Sequence, residues 1–213
     1  MEILQELSNS LVSGRLPKIK PLVQQALDEG IEAGQILNDG LLAGMAIVGD
    51  KFKANQMYVP EVMLAAKCMQ TGCDHLKPYL TADQESASNA DSPTVVIGTV
   101  KGDRHDIGKN LCKLMLEGRG MKVIDLGVNV SAEKFVETAT NNSAKIICCS
   151  ALLTTTMPEM KRVVEAVHSS GLNAKVMVGG APVTQEFADS IGADAYTTDA
   201  ASCAARAIEL AGA

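Results

Sequence analysis

The hydrophobic period of this chain changes once, and that change sets what the chain can fold into. Up to about residue 80, apolar residues recur every three or four positions. Ile3, Leu4, Leu7 and Leu11 form one set, Ile19, Leu22, Val23, Ala26 and Leu27 a second, and Ile36, Leu37, Leu41, Met45 and Val48 a third. Met63, Ala66, Met69, Cys73 and Leu76 form a fourth. Such spacing lines up each set on one face of a helix. Gly14, Pro17, Gly30 and the stretch from Gln56 to Pro60 fall where helices should stop, and Pro60 suits a first helical turn. Residues 1–80 therefore read as a four-helix bundle with short loops. Met57, Tyr58 and Val59 make an apolar stretch in a connection, either plugging the end of the bundle or covering something else.

Residues 81–92, TADQESASNADS, are small and polar, the composition of a linker. Beyond them, in residues 93–213, short β-branched runs alternate with amphipathic segments. Strands are expected at 94–100, 122–127, 144–150, 174–180 and 194–198, and helices near 108–119, 132–142, 157–170, 184–191 and 200–211. Continuous apolar runs such as Val95-Val96-Ile97 and Ile146-Ile147-Cys148-Cys149 suit strands buried on both faces. Regular βα alternation implies a parallel sheet with right-handed crossovers. The expected fold class is thus α/β: a helical bundle followed by a flavodoxin-like, Rossmann-like five-stranded parallel sheet in the order 2-1-3-4-5.

Charge and composition narrow the function. The 213 residues carry a formal charge of −6, with no Trp, three Phe and three Tyr. Nucleic acid and anionic membranes both need a basic footprint, and bases need aromatic platforms, so neither is the expected partner. The first residues have neither a basic n-region nor a continuous apolar core, and no apolar run approaches the ~18 residues of a spanning helix. A cytoplasmic location is the expectation. Cys68, Cys73, Cys112, Cys148, Cys149 and Cys203 lack paired CxxC spacing and read as buried thiols. Adjacent in a strand, Cys148 and Cys149 should point to opposite faces.

In an open parallel sheet of this order, ligands bind beyond the carboxyl ends of the strands near strands 1 and 3. The loop after strand 1 reads KGDRHDIGKN and that after strand 3 reads SALLTTTMP, while Gly179 and Gly180 end strand 4 on the same rim. Each piece has a plain structural reading: Asp106 as a helix N-cap, Ser150 as a strand end, the glycine pair as a tight turn. The chain has no GxGxxG, no GxxxxGK[ST] and no acidic cluster for a phosphorylated receiver. Three histidines, His75, His105 and His168, argue against a multi-histidine zinc site, and no Ser, His and Asp set has a nucleophile-elbow context. The rim looks like a holder without a stand-alone catalytic constellation.

Asp103-x-His105-x-x-Gly108, then 41 residues, Ser150-x-Leu152, then 26 residues, and Gly179-Gly180 together resemble the cobalamin-binding signature of corrinoid proteins and of the cobalamin module of methionine synthase. GDKF at 49–52 and MYVPE at 57–61 resemble the helical cap of the methyl-carrying branch. The resemblance spans essentially the whole chain. It is strongest to the corrinoid subunits of three-component methyltransferase systems, which act on methanol, methylamines, betaines or methoxylated aromatics.

The resemblance implies a cobalamin or related corrinoid, cycling as cob(I)alamin and methylcobalamin and isolable as hydroxocobalamin. It makes His105 the lower axial ligand of cobalt, Asp103 the acceptor of its second N–H, and Ser150 the hydroxyl partner of that carboxylate. Arg104, Asp106, Ile107, Gly108, Leu152, Thr154, Thr156, Gly179, Gly180 and Ala200 would line the cofactor, with Tyr58, Val59 and Met63 over its upper face. The implied partners are a substrate:corrinoid methyltransferase, a corrinoid:tetrahydrofolate or corrinoid:thiol methyltransferase, and a reductive activator protein; homodimerisation is left open. The alternative is a cobalamin-dependent sensor or regulatory protein. From the residues alone, a flavodoxin-like domain with a fortuitous DxHxxG also stays open.

Overall fold

The computed structural model describes residues 2–79 and 92–212, so the linker expected at 81–92 lies outside the described residues apart from Ser92. The chain falls into two compact units, Met1–Ser92 with Gly118–Gly120, and Pro93–Glu117 with Met121–Ala213. Among the described residues, no helix is long and apolar enough to cross a membrane.

The first unit is helical throughout. α1 (Glu2–Val12) and α2 (Leu16–Asp28) are followed by one unbroken rod made of α3 (Ala33–Gln35), a π-helical stretch (Ile36–Leu42) and α4 (Ala43–Lys53), and then by α5 (Val59–Leu76). Leu7, Leu11, Ile19, Ile36 and Leu41 are fully buried at its centre. The π-helical stretch was not expected from the sequence. Its wide turns carry Gly40, where a Cβ would come within 2.8 Å of Leu7, so the rod approaches α1 closely only because position 40 has no side chain.

α5 corrects an expectation. The face it buries is Val62, Ala65, Cys68, Gly72 and Leu76, one residue off the Met63, Ala66, Met69 and Cys73 stripe, and Met63 is 57% exposed. Gly72 decides the difference: a Cβ there would sit 2.7 Å from Leu41, so this face lets the two helices close on each other. Pro60 stands in the first turn as expected, and Tyr58 with Glu61 forms a capping box.

The second unit is a doubly wound α/β domain. β1 (Thr94–Thr99), α6 (Ile107–Glu117), β2 (Lys122–Asp125), α7 (Ala132–Asn141), β3 (Ile146–Ser150), α8 (Met157–Ser169), β4 (Lys175–Gly179), α9 (Gln185–Ser190), β5 (Ala195–Tyr196) and α10 (Ala200–Leu210) alternate along the chain. The strands are parallel in the order β2-β1-β3-β4-β5. Val96, Ile147, Cys149, Val176 and Val178 bury one face against Phe135, Met160, Val163 and Val164. A Cβ at Gly98 would lie 2.8 Å from the Phe135 ring, so that glycine lets the ring lie on the sheet. Cys148, one residue before Cys149, faces the α6 and α10 side, as period-2 alternation requires. The register sets Thr99, Ser150 and Gly179 side by side at the carboxyl ends of β1, β3 and β4.

Candidate cofactor-binding site

The loop from Val100 to Asp106 leaves the middle of that carboxyl edge. Gly102 turns it at φ +82°, its N–H donates to the Asn129 side chain at 2.7 Å, and the Asn129 N–H donates back to the Asp103 carbonyl at 2.9 Å. From within the sheet, the Thr99 hydroxyl donates to the His105 carbonyl at 2.8 Å. The loop is therefore fixed by β1 and by the segment after β2 before any ligand is considered.

Asp103 is completely buried and accepts five hydrogen bonds. One carboxylate oxygen takes the His105 N–H at 3.0 Å and His105 Nδ1 at 2.7 Å. The other takes the Leu152 and Leu153 N–H groups at 2.8 and 3.2 Å and the Thr156 hydroxyl at 2.8 Å. Burial works to raise this carboxyl's pKa. The donors outweigh it and hold the group well below the usual carboxylate range, so it carries its charge at neutral pH. A carboxylate only accepts, so His105 Nδ1 must carry the proton it shares, and neutral imidazole then presents a bare lone pair at Nε2. The side chain bearing that nitrogen is 51% exposed.

The hydroxyl on the carboxylate corrects another expectation. It belongs to Thr156, which is buried, and Ser150 contributes none of the five bonds to Asp103. Ser150 ends β3 in the parallel ladder, paired with Thr99 and Gly179. The turn after it folds back, with the Thr156 N–H on the Leu153 carbonyl at 3.0 Å, and delivers the later hydroxyl instead. The threonine-rich run in that loop was the available signal.

Around His105 the surface is apolar. Ile107 is 78% exposed, and Val128, Leu152 and Leu153 are exposed beside it on the loops that Asp103 and Asn129 tie together. Exposed apolar groups clustered on three joined loops mark a place that something covers. Val128 and Leu153 were not expected from the sequence. Gly108 has open space where a Cβ would be, so backbone is presented directly at the start of α6. Gly180 serves the chain itself: at φ +139° a Cβ there would fall 1.9 Å from the Ala151 carbonyl oxygen, so its lack of a side chain lets two rim loops touch. Arg104, Asp106 and Thr154 are exposed on the same loops, and the Asp106 side chain accepts from the Asn110 amide at 3.2 Å. Ala200 is buried in the first turn of α10, which Asp199 caps through the Ser202 N–H at 2.8 Å. Tyr58, Val59 and Met63 belong to the helical unit, where all three are exposed at the start of α5.

One charged pair was missed altogether. Lys109 is 2% exposed and donates to both oxygens of Asp125 at 2.7 and 2.8 Å, and Asp125 also accepts from the Gly127 N–H at 2.9 Å. This pair fastens the first turn of α6 to the end of β2.

Residues 93–206 match the B12 binding domain family, and residues 3–77 match a second B12 binding domain family. The chain belongs to the B12-binding family. It is similar to dimethylamine corrinoid protein 1 of Methanosarcina acetivorans, at 40% identity over 98% of this chain and 97% of that one. Among solved structures, it resembles a cobalamin-binding protein from Desulfitobacterium hafniense at a TM-score of 0.79, with 28% identity over 97% of this chain and 98% of that one. It also resembles the methanol:cobalamin methyltransferase complex of Methanosarcina barkeri at a TM-score of 0.86, with 26% identity over 99% of this chain and 80% of the matched one. A corrinoid is the cofactor of this family, and the residues fit it. A corrin ring supplies four nitrogens to cobalt and needs one imidazole nitrogen below, which His105 presents from an apolar rim.

Proposed function

We propose that this protein is a methyl-carrying corrinoid protein of a methyltransferase system, with His105 as the lower ligand to cobalt. The observation that carries this is the His105 Nδ1 to Asp103 contact at 2.7 Å, which fixes the tautomer and leaves Nε2 outward on an exposed side chain. Bound there, a corrinoid supplies a cobalt centre that takes up a methyl group and gives it away.

The chain's own residues hold, orient and shield. Asp103 makes the imidazole a better donor and keeps its tilt, and Thr156 steadies the far side of the carboxylate. Ile107, Val128, Leu152 and Leu153 offer apolar surface to the ring and keep water from the lower ligand. Gly108 leaves its backbone open to close approach. No acid–base or nucleophilic constellation accompanies these groups, so the chemistry at either end of the transfer belongs to partner enzymes. One methyltransferase would load the methyl group from a small methylated substrate and a second would unload it onto a thiol or tetrahydrofolate, with a reductive activator restoring the cofactor, all in the cytoplasm. The names of the relatives, a dimethylamine corrinoid protein and a methanol:cobalamin methyltransferase complex, support this reading.

The test is a visible spectrum of the protein loaded with hydroxocobalamin and desalted, beside His105→Ala treated identically. Wild type should retain a corrinoid whose own base is displaced by histidine, and the variant should lose that signature. Identical spectra, or two colourless proteins, would remove His105 from the cobalt and the reading with it.

A further inference from the structure

Away from the Asp103–His105 centre, three of the six cysteines converge between the sheet and the helices α6 and α10. Cys148 stands inside β3, paired with Ile97 and Met177; Cys112 is on α6, five residues past Ile107; Cys203 is near the start of α10. All are free thiols, and Cys203 is hydrogen-bonded through its side chain to both Cys112 and Cys148, and to Thr197. Cys149 points into the opposite core, so the convergence does not simply follow from the adjacent cysteines of β3.

The direction of these bonds picks out the reactive sulfur. Cys112 and Cys148 act as donors, which pushes their own thiols up and holds the Cys203 thiol down. A thiolate with a neighbouring thiol is the arrangement that reacts with peroxide and then resolves to a disulfide. Among the described residues, no group of three His, Cys, Asp or Glu is disposed to hold a metal ion, so the cluster is not a metal cage. Cys148 is held on both sides by neighbouring strands, whereas Cys112 is only partly buried on a helix and its side chain can turn.

We propose that Cys203 and Cys112 form a peroxide-sensitive dithiol whose disulfide ties α10 to α6 and hinders corrinoid uptake at the rim. The uptake half rests on the function proposed above; the thiol chemistry does not. The Cys203 sulfur attacks one peroxide oxygen, the O–O bond breaks, and a sulfenic acid and water result. The Cys112 sulfur then attacks that sulfur, the S–O bond breaks, and a second water leaves. Two thiols and one hydrogen peroxide thus give one disulfide and two waters, two electrons passing to the peroxide. Cys148 and Ser150 share a face two residues apart, which puts the cluster about 7 Å beneath the Thr99–Ser150–Gly179 row. α6 begins directly after the His105 loop, so a tie at Cys112 restrains the element that must adjust when a large ring settles on the rim. Apparent affinity falls in proportion to the competent fraction.

The experiment uses the full chain, reduced, free of corrinoid and treated with hydrogen peroxide. Peptides are mapped without reduction, and hydroxocobalamin uptake is measured before and after dithiothreitol. The expected result is a cross-link between the Cys112 and Cys203 peptides, with Cys68, Cys73 and Cys149 still alkylatable. Uptake should fall roughly tenfold and recover on reduction. In Cys203→Ser and in Cys112→Ser, no such cross-link forms and the ratio of treated to untreated uptake stays near unity. No cross-link, a Cys148–Cys203 bond in its place, or a cross-link that leaves uptake unchanged would overturn the proposal. Reduced protein that takes up no hydroxocobalamin would sink the corrinoid reading and the uptake half together, while the peptide map would still decide the dithiol.

Discussion

Thr156 Oγ1 lies 2.8 Å from Asp103 Oδ2, on the carboxylate oxygen opposite the one that holds His105. The two oxygens thus divide their work, one facing the imidazole and the other facing the turn after β3. Thr156→Val removes the hydroxyl and keeps the shape. It should cost about 1–3 kcal/mol in urea unfolding of the α/β unit, because the bond lost is to a buried charge. Ser150→Ala should cost under about 0.5 kcal/mol by the same measurement, since that hydroxyl makes no bond to the carboxylate.

Asp103→Asn is the harsher change. An amide offers one accepting oxygen where five donors now converge, and its NH2 group would face the Leu152 and Leu153 N–H groups or the imidazole. A loss on the order of 2–4 kcal/mol is expected from chemical denaturation, with the His105 loop the first segment to gain hydrogen exchange.

Gly108 and Gly180 separate holding a ligand from holding the fold. Gly108→Ala meets nothing within 4 Å and lies in a helix, so it should raise stability by up to about 1 kcal/mol while hydroxocobalamin retention falls. Gly180→Ala, whose Cβ would collide with the Ala151 backbone at a positive φ, should instead destabilise the unit before any cofactor is added. Thermal melts with and without hydroxocobalamin distinguish the two.

Acid should loosen the α6 end of the site through Asp125. Burial alone would raise this carboxyl's pKa, but the Lys109 ammonium, the Gly127 N–H and Lys113 lower it overall. A depressed folded pKa means stability that is fully present above the unfolded value of about 3.9 and lost as pH falls through the folded one. Asp125→Asn leaves Lys109 buried without its charge partner and should be less stable by about 3 kcal/mol at neutral pH. Its urea midpoint should also change less than wild type's between about pH 5 and 3.

Much of this was legible in the sequence, because period and punctuation are local. The switch from a period of 3.6 to short β-branched runs gave the sheet and its order, and alternation alone put Cys148 and Cys149 on opposite faces. Asp103 and His105 stood out because a charged pair two residues apart falls in the loop after the first strand. What stayed hidden depends on contacts between distant segments. Whether Ser150 or Thr156 reaches Asp103 is settled by how the turn after β3 folds back across a loop some 50 residues away. The Met63 stripe and the Val62 stripe are one residue apart on one helix, and only the packing of Leu41 against Gly72 chooses between them. Lys109 reads as an ordinary surface lysine until β2 brings Asp125 to it.

The π-helical turns at Ile36–Leu42 act as a fixed phase offset within a single rod. Each residue of an α-helix advances by about 100°, so losing one residue here would rotate everything beyond it by that angle. Met45 and Val48, now buried, would swing out of the bundle, and exposed Ile47 would swing with them. Deletion of the exposed Asn38 should therefore be as disruptive as an insertion in the core. The rod's length in residues, and not only their identity, is part of what the helical unit encodes.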